Sequence, residues 1–154
     1  MVLIVEDDVS ARIPLFRRML RATPCIVRRS PRLVTRDDVR QSKYIFLDYN
    51  MCERGLSVDE NAADPLASLS TALAPCPQPL ESGGCGCETG WDLASRLEAM
   101  GATPATTVVV HTLDQAAALR MVLVLKSQGI HRVTASPFGS DRFWAVLRGV
   151  GLAD

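Results

Sequence analysis

The chain lacks a charge excess, with 17 Lys and Arg against 17 Asp and Glu in 154 residues. No global field therefore draws it to nucleic acid or to a membrane surface. It also lacks any apolar stretch approaching the length of a bilayer span. The opening Met1-Val2-Leu3-Ile4-Val5-Glu6 has neither the basic region nor the long apolar run of a signal peptide. A cytoplasmic location is the expectation, and there the five cysteines are thiols or metal ligands rather than disulfides. The rest of the composition, 47% hydrophobic and 22% charged, is ordinary for one soluble domain with a proper core. Arginines crowd the start of the chain (Arg12, Arg17, Arg18, Arg21, Arg28, Arg29, Arg32, Arg36). They read as solvated helix faces, or as a local basic face for a phosphate-bearing partner.

What is present is an alternation of strand and helix signals, which argues for an α/β fold around a parallel sheet. Strands are expected at residues 2–5, 25–27, 44–47, 106–110 and 132–135, the second of them short and at an edge. Helices are expected at 9–21, weakly at 36–41, then at 89–100 ended by Gly101, at 115–128 closed by Gly129, and at 141–150 opened by Ser140. Pro14 is tolerable only in the first turns of its helix. The chain reads as one domain, 1–154, carrying a long insertion at 51–88 after the third strand. Ordinary strand-to-helix loops need only a few residues. The insertion holds a short helical signal at 65–74, a proline-rich stretch, and Cys52, Cys76, Cys85 and Cys87. Four thiols there suit a structural Zn²⁺ that orders a segment without a core of its own. Their spacing has one tight Cys-x-Cys and no paired Cys-x-x-Cys knuckles, so a mobile cap over the site is the plainer reading.

Two apolar runs end in acid: Val2 to Val5 meets Glu6-Asp7-Asp8, and Tyr44 to Leu47 meets Asp48. If the runs are neighbouring parallel strands, the carboxylates share the crevice at the sheet's carboxyl edge, where α/β proteins bind ligands. Clustered carboxylates repel one another unless a hard cation sits among them, and Mg²⁺ takes such oxygens while keeping waters for a phosphate. The plainer alternative is that each acid caps the following helix or solvates a loop.

Val2 to Asp8 and Ile45-Phe46-Leu47-Asp48-Tyr49-Asn50-Met51 resemble the first and third strands of response-regulator receiver domains, the CheY-like fold. Val110-His111-Thr112 and Ser136-Pro137-Phe138 fall where that family has its hydroxyl residue and its Lys-Pro-Phe. The resemblance spans nearly the whole chain and implies a doubly wound five-stranded parallel sheet of flavodoxin/CheY-like order 2-1-3-4-5. It implies Asp48 as phosphoacceptor, Glu6, Asp7 and Asp48 as Mg²⁺ ligands with the Asn50 backbone carbonyl, and Thr112 and Ser136 on the phosphate. A sensor kinase and an output protein are the implied partners. Ser136 stands where the family has a lysine, and a hydroxyl supplies a hydrogen bond but not the charge that stabilises a phosphoaspartate.

Thr89-Gly90-Trp91-Asp92 and the run His111-Thr112-Leu113-Asp114 through Arg120-Met121 resemble two motifs of the cyclic-phosphate-processing receiver branch. That resemblance implies catalytic roles for His111, Thr112, Asp114 and Arg120 on a cyclic or terminal phosphate, in a nucleotide or at a nucleic-acid end. Histidine transfers a proton, arginine neutralises developing charge, and Mg²⁺ polarises the ester. The branch's Asp-His-Asp-Leu is Asp48-Tyr49-Asn50-Met51 here, and its asparagine is Asp114. More ordinary readings stand beside these: a backbone-bonded His111, a salt-bridging Arg120, a core Trp91 and a surface His131. Met121, Leu123 and Leu125 belong to the core or to a homodimer surface. Three functions follow as expectations: a Mg²⁺-dependent phosphoesterase, a receiver phosphorylated on Asp48, or a non-catalytic binding module.

Overall fold

The computed structural model describes residues 1–20, 23–51 and 88–149. Its one sheet has five parallel strands, β1 (Val2–Val5), β2 (Cys25–Arg28), β3 (Tyr44–Leu47), β4 (Thr107–Val110) and β5 (Arg132–Ala135). Their order is β2-β1-β3-β4-β5, the expected doubly wound topology with β2 at an edge. Five α-helices accompany the sheet among the described residues: α1 (Arg12–Met19), α2 (Arg36–Arg40), α3 (Gly90–Ala94), α4 (Gln115–Ser127) and α5 (Asp141–Gly149). No helix among these residues is long and apolar enough to cross a membrane.

Alternation along the strands divides the core into two layers. Leu3, Val5, Ile45, Leu47, Val108 and Val110 pack with Val39 of α2, Leu93 of α3, and Met121 and Leu125 of α4. Val2, Ile4, Phe46 and Val109 pack on the opposite face with Phe16 and Leu20 at α1, and with Phe143 and Leu147 of α5. Each such side chain, wholly removed from water, contributes about 1.5–3 kcal/mol. Met121 and Leu125 are core, as one of their two readings has it, while Leu123 stays exposed.

Two helices are shorter than their apolar spacing suggests. Helix α1 starts at Arg12 rather than near Val9, which places Pro14 in the first turn, where its missing N–H costs nothing. Asp8 Oδ1 caps the approach, accepting from the Ser10 and Ala11 backbone N–H groups at 3.0 and 2.9 Å. Helix α3 stops at Ala94 rather than running to Met100. Ser95 Oγ donates to the Trp91 carbonyl at 2.8 Å, and the next backbone bonds, from Arg96 to Leu93 and Leu97 to Ala94, are three-residue turns. Ser140 does open α5, its Oγ accepting from the Phe143 N–H at 3.2 Å. The insertion's predicted short helix and its zinc-ligand candidates, Cys52, Cys76, Cys85 and Cys87, lie outside the described residues.

The chain returns to the sheet at a close backbone crossing. Gly90 N–H donates to the Tyr49 carbonyl at 3.1 Å, and a Cβ on Gly90 would lie 1.9 Å from the Asp48 carbonyl oxygen. Only glycine fits there. Gly90→Ala is therefore expected to cost about 3 kcal/mol of unfolding free energy, an overpacking penalty delivered to rigid backbone. Urea unfolding of the two proteins checks this, and equal midpoints would refute the crossing.

Candidate functional site

Four strands end in phase. Val5 pairs with Leu47, Leu47 with Val110, and Val110 with Ala135. Beyond those pairs the ladder continues for one more bond each: Asp48 N–H donates to Val5, His111 N–H to Leu47, and Ser136 N–H to Val110. The residues one step past the strands thus form a row, Glu6-Asp48-His111-Ser136, lying side by side on the α1/α5 face by alternation. All four are buried, at 0%, 3%, 0% and 1% exposure.

Glu6 and Asp48 share a cavity of about 160 Å³ with Asp7, Asp8, Arg12, Asn50, Thr112 and Leu113. Arg12 is its one guanidinium among the described residues. Its Nη1 donates to Asp48 Oδ2 at 2.9 Å and to Glu6 Oε2 at 3.3 Å, and its Nε lies 4.0 Å from Asp8 Oδ2. Its Cζ sits 5.2 Å from the Phe138 ring centre, a cation–π contact that holds the side chain over the acids. This corrects the reading of Arg12 as a solvated helix face. The signal was present in the sequence, since an arginine four residues after Asp8, in the first turn of the helix leaving β1, points back at that strand's carboxyl end.

Backbone donors supplement the guanidinium. Asp8 N–H donates to Glu6 Oε1 at 3.0 Å and Tyr49 N–H to Asp48 Oδ1 at 2.7 Å. Burial, with the Asp48 carboxylate as second cause, still pushes Glu6 up to about 7. Burial likewise pushes Asp48 up to about 6 against the pull of Arg12 and of the Tyr49 N–H. Among the described residues one guanidinium faces four lining carboxylates, an excess of negative charge. The residues therefore fit a divalent cation with oxygen ligands from Glu6, Asp7 and Asp48 and the Asn50 carbonyl.

His111 lies beneath the cavity rather than in its lining. Its ring is enclosed by Phe16, Phe46, Phe138 and Phe143 at centroid distances of 5.6, 6.5, 6.1 and 6.1 Å. Burial, with Arg12 next, lowers its pKa to about 3, so the imidazole is neutral. Nδ1 lies 3.6 Å from Glu6 Oε2, beyond hydrogen-bond reach, and neither ring nitrogen has a partner among the described residues. Leaving a buried polar group unsatisfied costs about 1–3 kcal/mol.

The remaining sequence candidates scatter. Thr112 lines the acidic cavity, and its Oγ1 accepts from the Asp114 N–H at 3.3 Å. Asp114 caps α4, accepting from Ala117 N–H at 2.9 Å. Ser136 Oγ lies 3.2 Å from Ser140 Oγ and lines a neighbouring cavity of about 470 Å³, which Thr112 also borders. Arg120 is exposed on α4 and lines neither cavity.

A doubly wound sheet of order 2-1-3-4-5 with carboxylates past its first and third strands is the architecture of CheY-like receiver domains. No family model matches the chain, and no curated protein matches it in sequence. Solved structures do. The signal receiver domain of a protein described as a Luxo repressor, from Vibrio parahaemolyticus, superposes with a TM-score of 0.51 at 16% identity, covering 96% of this chain and 85% of that one. A CheY-like response regulator receiver domain protein from Methanospirillum hungatei JF-1 superposes with a TM-score of 0.51 at 11% identity, covering 97% and 89%. At these identities the likeness establishes the receiver fold.

The raised carboxyl groups set a pH dependence. A carboxyl whose folded pKa exceeds its unfolded value destabilises the fold above the folded pKa, and that cost fades as pH falls toward the unfolded pKa. For Glu6 the window runs from about 7 down to 4.5. Without divalent cations, Glu6→Gln is expected to raise the urea midpoint at pH 8 and to leave it unchanged at pH 4. A gain that persists at pH 4 would show that the effect is not ionic.

Proposed function

We propose that the chain is a receiver whose Asp48 accepts a phosphoryl group, with Mg²⁺ held by Glu6, Asp7, Asp48 and the Asn50 carbonyl. The observation that carries this reading is the 2.9 Å contact between Arg12 Nη1 and Asp48 Oδ2. Ser136 brings no charge to this carboxylate, and Arg12 offers one from α1 instead. When bound, Mg²⁺ neutralises phosphate oxygens and lowers the cost of their approach to the acids.

The chain's own residues do the rest. An Asp48 carboxylate oxygen attacks phosphorus and displaces the donor's leaving group, forming an acyl phosphate. Arg12 moves from the carboxylate onto the transferred group, and the Thr112 hydroxyl donates to one of its oxygens. A phosphate-donating partner such as a sensor kinase, and an output protein that reads the change, are the partners of such a domain.

A second reading, hydrolysis of a cyclic or terminal phosphate, is favoured by Thr112 bordering both cavities, since the larger one has room for a nucleoside beside the acids. That reaction would rest on Arg12 and Thr112, because His111 and Arg120 line neither cavity. Incubation with Mg²⁺ and 2′,3′-cyclic nucleotides tests it by product release.

For the receiver reading, acetyl phosphate with Mg²⁺ should add one phosphoryl mass to the intact protein, and Asp48→Asn should abolish the addition. Arg12→Gln should slow labelling at least about tenfold, as loss of a charge on the reacting group does. The same variant should bind Mg²⁺ more tightly, because a competing cation is gone. No label on the unaltered protein would overturn the reading, and a label that survives Asp48→Asn would move it elsewhere.

A further inference from the structure

We propose that the acids of the cavity share a nitrogen ligand from the layer beneath them: Glu6, Asp48 and His111 form a site for a divalent transition ion of the Mn²⁺, Fe²⁺ or Zn²⁺ kind. One oxygen or nitrogen from each of these three residues lies within 4.8 Å of the others, and all three side chains are buried. Carboxylates alone would specify only a hard cation. The independent sign is His111, wholly buried, with neither nitrogen hydrogen-bonded among the described residues and Nδ1 turned to within 3.6 Å of Glu6 Oε2.

Four phenylalanine rings surround the imidazole, and among the described residues the metal-binding groups near its nitrogens are the carboxylates of Glu6 and Asp48. Neutral imidazole is the form that binds metal. Imidazole suits borderline ions and adds little for Mg²⁺ or Ca²⁺, which prefer oxygen throughout. Arg12 Nη1 now contacts Glu6 Oε2 and Asp48 Oδ2, two of the oxygens an ion between the acids would take. An ion entering the site displaces that guanidinium toward solvent, where the side chain is already 23% exposed.

This inference deepens the receiver reading by specifying the ion of the same site, and its test separates the two. Mn²⁺ alone is added to the full chain, and electron spin-echo modulation is recorded. Directly bound imidazole nitrogen should appear as strong ¹⁴N modulation, be replaced by ¹⁵N lines in uniformly ¹⁵N-labelled protein, and vanish in His111→Leu. Titration should show the preference for Mn²⁺ over Mg²⁺ falling at least about tenfold in His111→Leu, the scale on which ligand-shell groups act. Mn²⁺ bound without directly coordinated nitrogen, or no Mn²⁺ binding, overturns the inference. The echo experiment on the unaltered protein stands even if His111→Leu does not fold. Acetyl phosphate labelling of Asp48 with Mg²⁺ is scored in parallel: a label without nitrogen coordination sinks the metal inference alone, and nitrogen coordination without a label sinks the receiver reading alone.

Discussion

Everything at the site depends on four strands finishing in phase. Because Val5, Leu47, Val110 and Ala135 are register partners, the next residue of each strand falls into a single row on a single face. A slip of one residue in any strand would turn its member of the row to the opposite layer, among Leu93, Met121 and Leu125. The apolar alternation that builds the two core layers is therefore also what aims Glu6, Asp48 and His111 together. Burial then sets their chemistry: it raises two carboxyl groups, lowers an imidazole, and makes one arginine the local source of positive charge.

The arginine shows how a local compensation can hide in a chain. A lysine missing at position 136 looks like a loss when strands are compared with strands. Arg12 belongs to a helix, and reaches Asp48 across thirty-six positions of sequence. Its side chain is long enough to bridge Asp48 and Glu6 while stacking on Phe138, and the planar guanidinium makes both contacts with one nitrogen. The positive charge at Asp48 thus comes from α1 and not from the strand end at Ser136. Ser136, freed from any ionic duty, is paired instead with Ser140 at the start of α5.

Much of this was legible in the residues. The strands β1, β3 and β5 were readable to the residue from short apolar or β-branched runs, and the sheet order followed from their likeness to receiver domains. Glu6, Asp7, Asp48, Asn50 and Thr112 all line the expected cavity. Helix ends were less legible, because Pro14 and Ser95 act through particular backbone bonds that apolar spacing does not encode. Arg12 is harder to read, since a charged residue on a helix is usually solvated, and its spacing from Asp8 is the sequence cue that sets it facing the acids. Arg120 stands at a fixed distance from His111 along the chain, and α4 carries it to an exposed position.

The backbone crossing at Gly90 has a consequence for how such a chain changes over time. Tyr49 and Gly90 are joined by a direct hydrogen bond, although the numbering between them runs through 51–88. The sheet, the acid row and α3 are thus closed off by a single stitch on the near side of that segment. Closing a chain loop grows costlier only slowly with its length, roughly as the logarithm. Residues can then be gained or lost beyond the stitch while the carboxylates keep their places. The junction is thus a point where chain length can change at small closure cost next to the acid row.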